Sequence, residues 1–98
     1  MPTWDTHSAF DRDHRRLSVD EVARLQVAVG KFVNDLKVGN GSFQPGLRVK
    51  RVTGHPGVWE MTWAPDGRAT FEYGAEHHGG HAHIIWRRIG TPAVFGQP

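Results

Sequence analysis

The chain has 98 residues, with 12 Lys+Arg, 10 Asp+Glu, 7 His, 12 Gly, 4 Trp and no Cys. That length suits one domain, residues 1–98, and is too short to bury two separate cores. The absence of Cys excludes a disulfide scaffold, an iron–sulfur site and a thiolate zinc finger, and no apolar run reaches membrane length.

The first element in chain order is a short strand at Thr3–Thr6. A short helix is expected from Ser8 to Leu17, with Phe10, His14 and Leu17 on one side. The strongest helix signal follows over residues 18–38. Ser18 and Glu21 have capping-box spacing, and Asp20 and Glu21 lie in the first turn, where the helix dipole favours negative charge. Val19, Val22, Leu25, Val29, Phe32, Val33 and Leu36 recur at helical spacing, and Gly39-Asn40-Gly41 stops the run. After Gly46 the period becomes twofold. Strands are expected at Leu47–Thr53, Val58–Ala64, Arg68–Tyr73 and Ala82–Ile89. Gly54-His55-Pro56-Gly57 and Pro65-Asp66-Gly67 supply the turns between the first three. The tail from Ala93 adds a short final element. Helices followed by a meander predict an α+β fold: two N-terminal helices on one face of a four- to five-stranded antiparallel sheet.

Alternation assigns the faces. Trp59, Met61 and Trp63, with Ala69, Phe71 and Tyr73, should meet the long helix. Glu60, Thr62, Arg68, Thr70 and Glu72 then line the other face. The last strand is ambiguous, because Arg87 and Arg88 are adjacent; Arg87 is taken as the one on the polar side.

The charge is also partitioned. Residues 1–35 hold five basic and six acidic residues, whereas residues 36–98 hold seven basic and four acidic. No acid occurs from Leu36 to Trp59, a stretch that carries Lys37, Arg48, Lys50 and Arg51. Such a strip fits phosphate or an acidic partner, or else a solvated strand edge guarded by cations. The polar sheet face combines Glu60, His83, Arg68 and Arg87 as candidates for catalysis. Arg48, Lys50, Arg51 and Arg88 are candidates for phosphate binding. Attack by an RNA 2′-hydroxyl on the adjacent phosphate needs a base, cations for the developing charge and an acid for the leaving oxygen, and this set contains all three. The plainer alternative is a set of cross-strand ion pairs such as Glu60 with Arg68.

His77, His78, His81 and His83 fall within seven residues. Imidazoles at this spacing suit a transition metal, but Gly79-Gly80 divides them and no Cys is present, so pH-sensitive charge is the preferred reading and no metal or cofactor is assigned. Gly54-His55-Pro56-Gly57 lacks the pattern of a phosphate loop and reads as a turn.

The strand region, from Leu47 through Val52-Thr-Gly-His-Pro-Gly-Val-Trp-Glu-Met-Thr-Trp63, then Pro65-Asp-Gly-Arg-Ala-Thr-Phe-Glu-Tyr73 and His83-Ile-Ile-Trp-Arg-Arg-Ile-Gly-Thr91, resembles the RelE/ParE superfamily of bacterial toxins. The resemblance spans roughly residues 1–95. It implies a cytoplasmic toxin neutralised by a cognate antitoxin, with Arg68 matching the arginine after the hairpin turn that binds phosphate in the nucleases. RelE-like members cleave mRNA, usually on the ribosome and without a metal; ParE-like members inhibit DNA gyrase. The chain departs from the nuclease pattern at Glu60 and Thr62, where a basic pair is common, and at Phe95, which cannot transfer a proton. Two readings therefore stay open: an mRNA-cleaving endoribonuclease that inhibits translation, and a non-catalytic binder such as a gyrase inhibitor or a protein-interaction module.

Overall fold

The computed structural model describes residues 2–39, 41–75 and 82–98. The order is β1 (Thr3–Thr6), α1 (Ser8–Arg15), α2 (Val19–Val38), β2 (Lys50–Arg51), β3 (Trp59–Ala64), β4 (Gly67–Tyr73) and β5 (His83–Gly90). Two 3-10 turns, Pro45–Leu47 and Pro92–Gly96, precede β2 and follow β5.

Helix α2 starts as its sequence dictates. The Ser18 side chain accepts the Glu21 N–H, the Glu21 carboxylate accepts the Ser18 N–H, and both capping-box bonds are present. It ends at Gly39, whose φ of 74° is the left-handed conformation a helix C-cap favours. Its buried positions Leu25, Ala28 and Phe32 face the sheet. Phe32 is fully buried, stacked on Phe43 at 5.0 Å and edge-on to Phe71 at 4.9 Å. Met61, Trp63, Ala69, Ile84, Trp86 and Ile89 complete this core. Aromatic rings dominate it because each removes a large apolar area from water.

The sheet has five strands in the order β1-β5-β4-β3-β2. It is mixed, whereas the sequence pattern led us to expect an antiparallel one. β1 runs parallel to β5, pairing Thr3 with His83 and Thr6 with Trp86; the other three pairings are antiparallel. The chain thus opens with an edge strand, and the helices serve as its connection back across the sheet. The strand expected over Leu47–Thr53 shrinks to two residues. Pro45 and Gly46 form a turn, and Arg48 follows at a φ of 46°, a conformation incompatible with an extended strand.

The ambiguity in β5 is resolved by a bulge. Thr70 lies opposite Arg88, but Phe71 lies opposite Trp86, so Arg87 is an extra residue with no register partner. The bulge brings Trp86 and Ile89 to the same core face although they are three residues apart. Arg87 and Arg88 both fall outside that core.

Candidate functional site

The face away from the helices begins with one cross-strand row: Lys50, Glu60, Thr70 and Arg88 lie opposite one another from β2 to β5. The Lys50 ammonium is 3.9 Å from the Glu60 carboxylate. Beside this row Arg87 donates to Glu72 at 2.7 Å, and its Nε donates to a main-chain oxygen of Pro98 at 3.1 Å. Val52, Val58 and Val94 are buried outside the main core, so this face is partly covered. Its cover is the C-terminal segment after β5. Gly90 is required here, because a Cβ at that position meets Val94 Cγ1 at 2.9 Å.

Arg88 is anchored from the helix side. The Asp13 carboxylate on α1 accepts its Nε at 2.6 Å and its Nη2 at 3.2 Å. The same carboxylate accepts the Ile89 N–H at 3.0 Å, beyond the last β1–β5 pair at Trp86. Asp13 therefore closes the outer edge of β5 where β1 no longer does. Burial pushes the Asp13 carboxyl up, but the Arg88 hydrogen bond, the Ile89 amide and the nearby guanidiniums of Arg88 and Arg16 outweigh it and hold the group below the usual carboxylate range. The Asp13 hydrogen bond in turn raises Arg88.

Between α1, β5 and the C-terminal segment lies an open cleft of about 420 Å³. His7, Arg12, His55, Arg87 and Arg88 line it, with Gly96, Gln97 and Pro98 along one wall. Each comes from a segment with its own reason to be there. His7 is the N-cap residue of α1 and makes no capping hydrogen bond with its ring. Arg12 lies one turn further along α1. His55 stands at the junction of two turns: its N–H donates to Val52 O and its carbonyl accepts the Val58 N–H. Gly54 and Gly57 sit at the third positions of those turns, both with a φ of 80°, which only glycine adopts readily. The Gly-His-Pro-Gly motif thus fixes a histidine at a doubled tight turn beside two arginines. Reading it only as a connection missed this, since alternation along a strand says nothing about where a turn residue lands.

The residues expected to form one catalytic centre are dispersed. Glu60 is buried, with 8% of its side chain exposed, and faces Lys50. Arg68 wraps back onto its own hairpin, with Nη1 donating to the carbonyls of Ala64, Pro65 and Gly67 at 3.3, 3.2 and 3.0 Å. His83 lies at the far end of the sheet, held between Thr3 Oγ1 at 2.7 Å and Asp5 Oδ2 at 3.0 Å. It lies beside Gly74, just past the end of β4 and six residues on from Arg68, which is about 20 Å of extended chain. His83 and Arg68 cannot hold one phosphate between them. Arg87 and Arg88 do converge. Arg48, Lys50 and Arg51 form an exposed strip on the opposite edge, where Arg51 packs 5.2 Å over the Trp59 ring. His77, His78 and His81 lie outside the described residues. Among the described residues no group of three metal-ligating side chains occurs, and no helix is long and apolar enough to cross a membrane.

A helix pair on one face of a five-stranded mixed sheet, with a parallel N-terminal edge strand, defines a RelE-type toxin fold, and the resemblance noted in the sequence holds at this level. The chain is similar to the RelB–RelE antitoxin–toxin complex of Methanococcus jannaschii, with a TM-score of 0.62, 13% identity, and 93% of each chain covered. It is similar to the Escherichia coli DinJ–YafQ toxin–antitoxin complex, with a TM-score of 0.61, 12% identity, and 95% and 94% covered. A copper-bound mutant toxin from Helicobacter pylori follows at 0.59, with 13% identity and 95% and 97% covered. No protein-family model and no curated protein matches the sequence. At such identities the likeness establishes the fold, and the chemistry has to be argued from the residues.

Proposed function

We propose that this chain is the toxin of a toxin–antitoxin pair and that it cleaves mRNA by attack of a 2′-hydroxyl on the adjacent phosphate, with the ribosome as the setting in which mRNA is presented. The observation that carries this reading is the cleft, where His7, Arg12, His55, Arg87 and Arg88 converge on a RelE-type fold. The N–H groups that Arg87 and Arg88 do not give to Glu72, Asp13 and the tail, together with Arg12, are suited to bind a phosphodiester and to stabilise the charge that develops on it. One neutral imidazole takes the 2′-hydroxyl proton as the 2′-oxygen bonds to phosphorus. One protonated imidazole gives its proton to the departing 5′-oxygen, leaving a 2′,3′-cyclic phosphate. Glu60 gives up the base role assigned from sequence, because its carboxylate is buried against Lys50. Arg48, Lys50 and Arg51 extend the contact along the RNA backbone from the sheet's other edge. An antitoxin that covers the cleft neutralises the protein.

The test is incubation of the purified chain with mRNA alone and with translating ribosomes. Cyclic-phosphate ends should appear in at least one setting. Arg87→Ala should reduce cutting by about 100-fold, the usual scale for removing one donor to a transition-state charge. Intact RNA in both settings, at protein levels that arrest growth, overturns the nuclease reading and leaves the non-catalytic binder, gyrase among its candidate targets.

A further inference from the structure

The outer side of α2, away from the sheet, is short of charge where a solvated helix needs it. Heptad spacing along that side reads Asp20, Ala23, Val27, Gly30, Asn34 and Lys37, all exposed and opposite the buried row of Leu25, Ala28 and Phe32. A solvated helix face ordinarily carries charged and polar residues along its length. Here the four middle positions carry no charge, and the two charges stand at the ends with opposite signs. Those signs suit the helix dipole, which accounts for the ends but not for the uncharged stretch between them. Of the five large hydrophobic side chains exposed among the described residues, three belong to α2: Val19, Val27 and Val38, at 87%, 61% and 70%. Gly30 adds a notch. A Cβ there would meet nothing within 4 Å, so no packing inside the chain calls for glycine, and glycine weakens the helix that holds it.

We propose that this face pairs with α2 of a second copy of the chain, antiparallel, about a twofold axis that passes between Ala28 and Val29. That axis sets Val27 over Gly30 of the second copy, Ala23 beside Asn34, and Asp20 beside Lys37, and twofold symmetry makes each contact occur twice. The Val27 isopropyl group fills the notch at Gly30. Ala23 and Gly30 let the helix axes approach to the short end of the usual range of about 8–10 Å. Asn34 fixes the register, as a single polar residue in an apolar seam does. Asp20 and Lys37 form no ion pair among the described residues, and the pairing gives each a partner of opposite charge. One flank opposes the association, because Arg24 comes beside Lys31 of the second copy. The 20 residues of α2 give a contact about 30 Å long, and a single helix pair of that length covers less than the roughly 1,200–2,000 Å² of a standard interface. The dimer is therefore weak and concentration-dependent. None of the six seam residues lines the cleft between α1, β5 and the C-terminal segment, so the pairing stands independently of the proposed cleavage.

Sedimentation velocity on the purified chain, from about 5 to 500 µM, covers the range in which a weak interface shows itself. The native chain should sediment faster as its concentration rises. Gly30→Leu fills the notch and should stay monomeric throughout. Its melting temperature should hold or rise, since the single chain has open space there and leucine favours a helix more than glycine does. Lys31→Glu sets a carboxylate beside Arg24 of the second copy and should tighten pairing by about tenfold. Asp20→Lys and Lys37→Asp should each weaken it by about tenfold, because both end contacts then join like charges. Mixed in equal amounts, these two variants should recover native pairing, since both end contacts of the mixed dimer again join opposite charges. That recovery belongs to the antiparallel register alone. A native chain that is monomeric at every concentration, a dimer that survives Gly30→Leu, no tightening in Lys31→Glu, or a mixture no stronger than its two components overturns the proposal. No arm of the experiment involves RNA, so its failure and the failure of the nuclease reading are separate results.

Discussion

Asp13→Ala tests whether the edge of β5 and the position of Arg88 depend on one carboxylate. The substitution leaves the Ile89 N–H, in a residue only 3% exposed, without its acceptor. A buried amide without a partner costs about 1–3 kcal/mol. It also ends the ion pair with Arg88, whose side chain is 27% exposed against 8% for Asp13, and a pair so placed adds about 1 kcal/mol. The sum is about 2–4 kcal/mol. Unfolding entropy of about 2.1 cal/mol/K per residue gives a domain of this size about 5 °C per kcal/mol, so the melting temperature should fall by about 10–20 °C. Asp13→Asn keeps an acceptor for Ile89 and should lose about half as much. The charge has a separate signature. The native carboxyl is held below its ordinary value, so the folded state binds that proton less readily than the unfolded chain. The stabilisation is complete above the unfolded value near 4 and disappears as pH falls through the lower native one. Thermal melts followed by circular dichroism at pH 7 and at pH 3 therefore decide the matter. The gap between native chain and Asp13→Asn should be widest at pH 7 and narrow in acid. A melting temperature for Asp13→Ala within about 3 °C of the native chain at pH 7 refutes the reasoning.

Thr70 is fully buried and its hydroxyl has no hydrogen-bond partner among the described residues, so Thr70→Val should leave stability unchanged or raise it by up to about 1 kcal/mol in a urea titration; a larger loss means that the hydroxyl is satisfied. Gly67→Ala should destabilise by about 1–3 kcal/mol, because the new Cβ falls 2.6 Å from two indole carbons of Trp63, and an unchanged midpoint contradicts that packing. Arg48→Gly removes a side chain from a residue at a φ of 46° and should stabilise by about 0.5–1 kcal/mol. Under the proposed function the same variant binds RNA more weakly, so a higher melting temperature and a lower affinity are expected together.

These positions also show which parts of the fold a single sequence carries. The α2 boundaries were legible because a capping box and a left-handed glycine cap are chemistry within one turn. The faces of β3 and β4 were legible because a hairpin ties their alternation to one core. The parallel pairing of β1 was not, since Thr3 and His83 stand eighty residues apart and no local pattern links them. The bulge at Arg87 did leave a trace. Trp86 and Ile89 are both apolar at a spacing that a regular strand cannot place on one face, and only an extra residue reconciles them.

The candidate site failed to appear in sequence for the same reason as β1. Alternation says which face a strand residue occupies but not which row, so Glu60, Arg68 and His83 were grouped although about 20 Å separates the last two. The cleft draws instead on α1, a turn and the bulged stretch of β5, which meet only because the parallel β1 delivers α1 to the edge of β5 and Asp13 fastens it there. The two features sequence could not supply, the parallel edge and the bulge, are therefore the ones that bring His7 and Arg12 to Arg87 and Arg88. Asp13 thereby couples stability to function. Loss of its carboxylate should loosen the α1 side of the cleft in proportion to the fall in melting temperature, whereas His55, held by backbone bonds in its doubled turn, should keep its place.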